Sequence, residues 1–540
     1  MNKKRYVKRC SSYQTLDDYI VGKTGKHISD LNTFKKQYNL PALKNIAERI
    51  MDAIHTERKI IVYADYDCDG ISSVDQFILL LQTLHAKFSV KVPKRFTDGY
   101  GIKPEYAKMI EQGSLLILVD NGIAALEAIE IAKSRNVEVI IMDHHMAFED
   151  DNGEIIYPRA DILLDPEALP MNNDYCDYCG AGLTYKLAQY MLPDNHPFMD
   201  VCASLAAIGT VADMVPLTED NRQIVRRGLE AMNSGKTTIG LLTLINMLKL
   251  TGHITSEKIA FYLAPILNAS GRLFDDGATW SAQTLLETNS DKALAMVKTL
   301  IQINESRKEI VEELMKQIYI DPNDKVNVIC TPDHSPLGCL GLVAGKITEM
   351  TKRTTFVYTN TGTIFKGSAR SDDEQKNHVK EMLDSIKQYT ASYGGHPGAA
   401  GFSFYKENEK IIKEKLLTYP VQPHDMTPYY DLDVKPQELL YILEQLDKCE
   451  PFGKNIEKPV FAMNCQFGNS NGCWRTCGAK SEHISFTLPG TNYKAIAFNM
   501  KDRYMKDGYP KNIRLIGNIA WNYYMGSKYP QFLVNDYEIL

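Results

Sequence analysis

Lys59-Ile60-Ile61-Val62-Tyr63-Ala64-Asp65-Tyr66-Asp67-Cys68-Asp69-Gly70 is the stretch whose reading decides the fold of this 540-residue chain. Its first half is a short apolar run, which predicts a buried strand. Its second half turns abruptly to acid. Before it, Leu43, Ile46, Ala47, Ile50, Met51 and Ile54 recur three or four residues apart over 40–57, the spacing of a helix face. After it, residues 71–86 again read as helix. The same grammar repeats twice. Leu115-Leu116-Ile117-Leu118-Val119 runs into Asp120-Asn121-Gly122, followed by a helical pattern through Leu126, Ile129, Ile131 and Ala132. Val137-Glu138-Val139-Ile140-Ile141-Met142 runs into Asp143-His144-His145. Strand, polar end and helix in alternation predict a parallel α/β sheet. Ligands of such sheets gather at the carboxyl ends of the strands, where all three polar clusters fall.

Further along, residues 279–320 are nearly free of Gly and Pro and read as helices. They include a connector from about 291 to 319, stopped by Asp321-Pro322-Asn323-Asp324. A second α/β region follows, with strands near 326–330 and 354–358 and a helix near 341–351. From about 425, short aromatic-rich β-like runs alternate with Gly, Asn and Pro turns, which suggests a small OB-type barrel. The expected division is an N-terminal extension 1–39, a catalytic α/β domain 40–290, a connecting helix 291–320, a smaller α/β domain 321–410 and an OB-type domain 411–540.

The bulk numbers set bounds. Hydrophobic residues make up 44% of the chain, enough for a large core, and 24% are charged, the balance of a globular protein. No apolar run reaches the ~18 residues of a membrane span. The basic start, Met1 to Cys10, is followed by no apolar stretch, so no secretory signal is expected. Eleven scattered cysteines read as reduced thiols of a cytoplasmic protein. A net charge of -6 does not announce a nucleic-acid binder, but a local basic groove or bound metal would still hold a phosphate backbone.

Asp65, Asp67 and Asp69 stand two apart, so in an extended segment they point the same way. Several carboxylates converging on one point repel one another, and desolvation adds to the cost. Divalent cations resolve it. Alone, this cluster is equally an Asx-rich turn, and an EF-hand is disfavoured by the missing Glu. Asp143-His144-His145 alone is a surface turn, Asp120 alone a strand-end cap, and Asp213, closing Ala207-Ile208-Gly209-Thr210-Val211-Ala212, a helix cap. Together, acids at four segment ends and two histidines are what a two-metal site needs. Oxygen donors mixed with imidazole suit manganese or magnesium, and two such ions ~4 Å apart activate water on a phosphodiester.

Asp65-Tyr66-Asp67-Cys68-Asp69-Gly70, Val119-Asp120-Asn121-Gly122, Asp143-His144-His145 and Gly209-Thr210-Val211-Ala212-Asp213 resemble the first four motifs of the DHH phosphoesterase superfamily, in the form of its RecJ branch of single-stranded-DNA-specific exonucleases. Tyr262 to Leu273 resembles a further segment of that branch. Gly367-Ser368-Ala369-Arg370-Ser371 and Gly394-Gly395-His396-Pro397-Gly398 resemble the DHH-associated domain. Glu450-Pro451-Phe452-Gly453 with Lys458-Pro459-Val460-Phe461 is similar to the entry of the OB-type domain. The likeness runs from about residue 40 to the end.

It implies stepwise 5′→3′ hydrolysis of single-stranded DNA to 5′-mononucleotides in DNA repair and recombination, with two Mn²⁺ or Mg²⁺ ions. It implies that Asp65, Asp67, Asp69, Asp120, His144 and Asp213 hold the metals, with Asp120 as the bridge. His145 would face the scissile phosphate, and Asp143 would orient the histidines. Asn268 and Arg272 would grip phosphate near the cut, and Ser368, Arg370, Gly395 and His396 the 5′ end. Single-stranded DNA is the implied partner, with a helicase and a single-stranded-DNA-binding protein beside it and no membrane. Two other readings stay open: a DHH phosphodiesterase of short oligonucleotides or RNA, and a non-catalytic replication scaffold on the same fold.

The chain departs from the branch in places. Tyr63 stands where many relatives carry His, Asp165-Pro166 replaces Asn-Pro, Ser335-Pro336-Leu337 replaces a Trp-His, and Lys454-Asn455-Ile456 replaces Gly-Asn-Pro. Cys176-x-x-Cys179 lacks a second pair at zinc spacing and is read as a structural turn. Cys465, Cys473 and Cys477 are read as thiols. Trp474, Tyr493, Trp521, Tyr523, Tyr524 and Tyr529 are expected to divide between barrel core and base stacking. Lys480, Lys494, Lys501 and Arg514 offer phosphate contacts or plain surface.

Overall fold

β1 (Ile60–Tyr63), β2 (Phe88–Lys91), β3 (Leu115–Val119), β4 (Glu138–Met142) and β5 (Ile162–Leu164) form a five-stranded sheet in the order β2-β1-β3-β4-β5. Every neighbouring pair is parallel. The computed structural model describes residues 5–34, 38–150, 153–170, 173–250, 252–467, 473–524 and 527–540, without the side chain of Tyr524. The strands alternate between two cores. Ile60, Val62, Leu115, Ile117 and Val119 face one apolar cluster, whereas Ile61, Tyr63, Leu116 and Leu118 face another. Burial on both faces is why these strands read as continuous apolar runs. The chain leaves β1 first toward β2 at one edge and then crosses to β3 on the other side. That makes the gap between the ends of β1 and β3 the point where strand order reverses, and therefore the crevice for a ligand.

Helices α1 (Ala42–His55), α2 (Cys68–Thr83), α3 (Gly180–Met191), α4 (Pro197–Ala212) and α5 (Glu219–Asn233) complete the first domain with α6 (Ala264–Leu273) and α7 (Gly277–Leu286). α8 (Ser290–Gln317) is the connector expected at 291–320, and its 28 residues span about 42 Å. Its far end, through Val311 and Leu314, packs with α9 (Leu337–Thr351) on one face of a second sheet. That sheet joins β6 (Asn327–Cys330), β7 (Thr355–Asn360), β8 (Ile364–Arg370), β9 (Ser392–His396) and β10 (Ala399–Tyr405) in the order β9-β10-β8-β7-β6. Only β6 and β7 pair in parallel.

The boundary expected at 410/411 cuts through α10 (Glu409–Leu417). Ile412 and Leu416 of this helix lie in the core of the middle domain, so that domain runs on past it. The C-terminal domain carries a seven-stranded mixed sheet of β11 (Leu432–Asp433), β12 (Phe461–Gln466), β13 (Trp474–Cys477), β14 (His483–Thr487), β15 (Lys494–Ala497), β16 (Asn512–Tyr524) and β17 (Ser527–Ile539). The first 39 residues are no free extension. Val7–Lys8 pairs with Tyr429–Tyr430, and Leu16, Tyr19, Ile20 and Leu31 are buried in the core of the C-terminal domain. No helix among the described residues is long and apolar enough to cross a membrane.

Candidate metal centre and the cleft beside it

The carboxyl ends of β1, β3 and β4 bring the sequence clusters to one place. Three sets of donor atoms, each mutually within 4.8 Å, are formed by Asp65, Asp67 and Asp120; by Asp69, His144 and Asp213; and by Asp120, His144 and His145. Asp120 and His144 each belong to two of the three sets, so the sets form one continuous cluster. His144 Nε2 lies 3.0 Å from Asp120 Oδ1 and 3.8 Å from both Asp69 Oδ2 and Asp213 Oδ2.

Each side chain is held by its element. Asp67 is the N-cap of α2 and accepts the amides of Asp69 (2.9 Å) and Gly70 (3.1 Å) through Oδ1. Asp69 receives the first amides of α3: Gly180 N to Oδ2 at 2.7 Å and Ala181 N to Oδ1 at 2.9 Å. A helix N-terminus aimed at a carboxylate fixes and stabilises its charge. A Cβ at Gly180 would meet Asp120 Cβ at 2.6 Å and Asp69 Oδ2 at 3.0 Å, so only glycine lets α3 approach so closely. Asp120 has a positive φ of 59°, an unusual conformation for a non-glycine residue and a common one at functional sites. Asp213 caps the C-terminus of α4. Asp143 accepts from Ile123 N (2.9 Å), from the backbone amide of His144 (2.8 Å) and from His145 Nδ1 (2.7 Å), so it fixes the ring of His145.

Buried carboxylates this close are relieved by a proton or by a bound cation. Burial, then Asp67, pushes Asp65 up to about 8 and Asp69 up to about 6. Burial and the surrounding carboxylates drive Asp120 and Asp213 well above the ordinary carboxylate range. Asp65 Oδ1 is buried without a hydrogen-bond partner. Burial, then the charge of His145, presses His144 down to about 3, which keeps it neutral as a ligand must be. For Asp143, His145 outweighs the effect of burial and holds the carboxyl down at about 2. Reciprocally, Asp143 overcomes burial and lifts His145 to about 10. Oxygen donors with one neutral imidazole and uncompensated buried charge fit hard divalent ions.

The middle domain closes the other side. The His396 ring, on β9, stands 5.5 Å from that of His145, and Tyr100 meets His145 edge-on at 5.5 Å. Gly395 has φ +143°, and a Cβ there would meet Ala399 O at 2.4 Å. A guanidinium cluster that the sequence only half revealed draws Arg95 and Arg272 from the first domain, Arg307 from the connector and Arg370 from the middle domain. Arg272 donates to Gly338 O (3.2 Å), and Arg370 to Ser368 Oγ (3.1 Å) and Ala369 O (2.8 Å). Burial, then Arg95, Arg370 and Arg307, lowers Arg272 to about 9. Arg95 Nε and Arg307 Nε have no partner, and none of the four arginines forms an ion pair with a carboxylate among the described residues. Arg95 sits 4.2 Å over the ring of Tyr66, between two of the acids. Half-buried guanidinium groups without a carboxylate partner are suited to an anion. Nothing near Arg95 or Arg307 in sequence marks them, because the fold alone assembles them with Arg272. Asn268 lies half-buried on α6, one turn before Arg272.

Other expectations resolve as follows. Tyr63 does not join the cluster: its hydroxyl donates to Gly101 O at 3.3 Å, in the core on the far face of the sheet. Asp165 accepts Ala168 N at 2.9 Å, and burial pushes it up to about 8. Lys454 sits on a turn whose carbonyl accepts Leu217 N (3.1 Å), and its charge acts on Asp213, Glu167 and Asp177. Cys176 and Cys179 are free thiols, and no cysteine joins a metal-holding set among the described residues. Trp474 stacks on Tyr509 with centroids 5.3 Å apart and planes at 20°. Tyr493 and Trp521 pack partly against the core, Tyr529 is exposed, and the side chain of Tyr524 lies outside the described residues.

Known proteins resemble this chain in sequence and fold. The family model "DHH family, N-terminal domain" matches residues 59–210, and "RecJ OB domain" matches 430–536. The single-stranded-DNA-specific exonuclease RecJ of Bacillus subtilis is 28% identical over 94% of this chain, which spans 65% of that protein's length. The protein of the same name from Haemophilus influenzae is 27% identical over 98% of this chain and 96% of its own. The crystal structure of RecJ in complex with Mn²⁺ from Thermus thermophilus superposes with a TM-score of 0.79 at 25% identity, over 96% of this chain and 75% of that one.

Proposed function

This chain belongs to the RecJ family of DHH phosphoesterases, and from that premise we propose that it is a single-strand-specific 5′→3′ exodeoxyribonuclease that releases 5′-mononucleotides. One observation carries the reading: a buried cluster of acids and histidines is flanked by arginines without carboxylate partners and by His396 of the middle domain. An anionic strand is the partner that satisfies both groups.

Asp65, Asp67, Asp69, Asp120, His144 and Asp213 would hold two divalent ions, which when bound supply Lewis acidity and an activated water. Asp120, common to two donor sets, is the carboxylate placed to serve both ions. His145, fixed by Asp143 through Nδ1, presents Nε2 to the scissile phosphate as a hydrogen-bond donor. Arg272, with Asn268, holds the phosphate at the cut in the geometry of attack. Arg370, Ser368, Gly395 and His396, with Arg95, take the 5′ end. Selection for a single strand is steric, because contacts to the backbone carry no base information. The OB-type domain extends the path for a long strand. In a cell this activity belongs to cytoplasmic DNA repair and recombination. A helicase that opens duplex and a single-stranded-DNA-binding protein that holds it open are the partners that supply its substrate.

The test presents the purified protein and manganese with long single-stranded DNA, duplex, RNA and trinucleotides. Mononucleotides from the long single strand alone support the proposal. Preference for RNA or trinucleotides makes the chain a phosphodiesterase of short substrates, and no hydrolysis with any divalent ion makes it a scaffold.

A further inference from the structure

Beside the arginine cluster, α6 ends at Leu273 and the chain turns through Phe274, Asp275 and Asp276 into α7. Phe274 and Trp280 face each other with centroids 5.3 Å apart and planes at 42°, yet remain 44% and 39% exposed. The ledge they form is anchored. Asp275 accepts Phe96 N (2.8 Å), Thr97 N (3.3 Å) and Thr97 Oγ1 (2.7 Å), and Lys94 pairs with Asp276 at 3.1 Å. The residue between Lys94 and Phe96 is Arg95, whose guanidinium reaches back over Tyr66 toward Arg272. Phe96 is exposed as well. Phosphate-binding cations and exposed rings therefore share one braced corner of the cleft.

We propose that Phe274 and Trp280 form a stacking platform for an unpaired base of the substrate strand, whose phosphates Arg95 and Arg272 hold. Arginines with no acidic partner specify a polyanion, and rings next to them specify a polyanion that carries flat apolar faces. A base within duplex has both faces covered by its neighbours, so the platform serves only an unpaired strand and adds an attractive element to steric exclusion. The bracing by Asp275 and Asp276 keeps the rings in place before the strand arrives, which limits the ordering cost of binding. This inference rests on the exonuclease reading and names where that substrate's bases go.

The test is a scan with single abasic sites moved one nucleotide at a time from the 5′ end of a single-stranded oligonucleotide. With the wild-type protein, one position raises KM roughly tenfold, the effect of one lost stack, while kcat is unchanged. In Phe274→Ala and Trp280→Ala that position dependence disappears, and in Trp280→Phe it is retained. The conservative variant guards against a ledge that merely fails to fold. Equal sensitivity at every position in all four proteins overturns the platform and leaves the exonuclease reading intact. A wild-type protein that neither binds nor cuts the unmodified strand removes both, and that result is visible before any variant is made.

Discussion

Asp69 shows how much of a site rests on one residue's neighbours. Its carboxylate accepts the first two amides of α3, and Gly180 lets that helix come within contact of Asp120. Gly180→Ala therefore displaces both carboxylates while leaving most of the fold untouched. Manganese affinity is expected to fall 10- to 100-fold, the usual scale for disturbing groups that orient ligands. Calorimetric titration of the variant, with circular dichroism as the control for folding, checks this, and unaltered affinity would refute the packing argument. The gathering of Asp65, Asp67, Asp69, Asp120, His144 and Asp213 was legible in the sequence because polar residues at the ends of apolar strands, and of one apolar helix, stand out against those runs. The service of Gly180 to Asp69, and of Arg95 and Arg307 to the anion site, was not legible. Those roles arise from contacts between segments far apart in the chain, which no local pattern records. Tyr63 was legible only as a departure, and its packing in the far core shows why it donates nothing to the cluster.

At the scale of elements, α5 ties the first domain to the last. Arg222 is fully buried and donates to the carbonyls of Cys449 (2.6 Å), Glu450 (3.0 Å) and Pro451 (2.6 Å) and to Asn32 Oδ1 (2.9 Å). Its substitution leaves three carbonyls without this donor, at about 1–3 kcal/mol for each that stays buried and unsatisfied. Arg222→Met is expected to separate denaturant unfolding into two transitions, with the C-terminal domain released first. A single unshifted transition would contradict this latch. Strand and helix runs were readable, β3 from its unbroken apolar run and α8 from its periodicity. Domain limits were less so. A polar helix such as α10 reveals its allegiance only through Ile412 and Leu416, and the N-terminal residues reveal theirs only by crossing to a sheet at the other end of the chain.

For the whole molecule, the buried acids couple stability to pH and metal. Carboxyls near 4 in the unfolded chain rise to about 6 at Asp69 and about 8 at Asp65 in the metal-free fold. Between these values the folded state binds more protons than the unfolded one, so this contribution to stability falls as pH rises through the window. Bound metal replaces those protons. The gain in Tm on adding manganese should therefore be small near pH 5 and grow toward pH 8, as thermal unfolding with and without the ion will show. A gain independent of pH would mean that these carboxyls are not the ligands. The central claim is that the acid cluster cuts a single strand from its 5′ end. The measurement that tests it most directly is hydrolysis of one single-stranded oligonucleotide, labelled at either end, by the wild-type protein and Asp120→Ala in manganese. The account predicts immediate release of the 5′ label as mononucleotide by the wild type, late release of the 3′ label, and no release by a folded Asp120→Ala. Early loss of the 3′ label would contradict the polarity, and undiminished cutting by Asp120→Ala would contradict the metal centre itself.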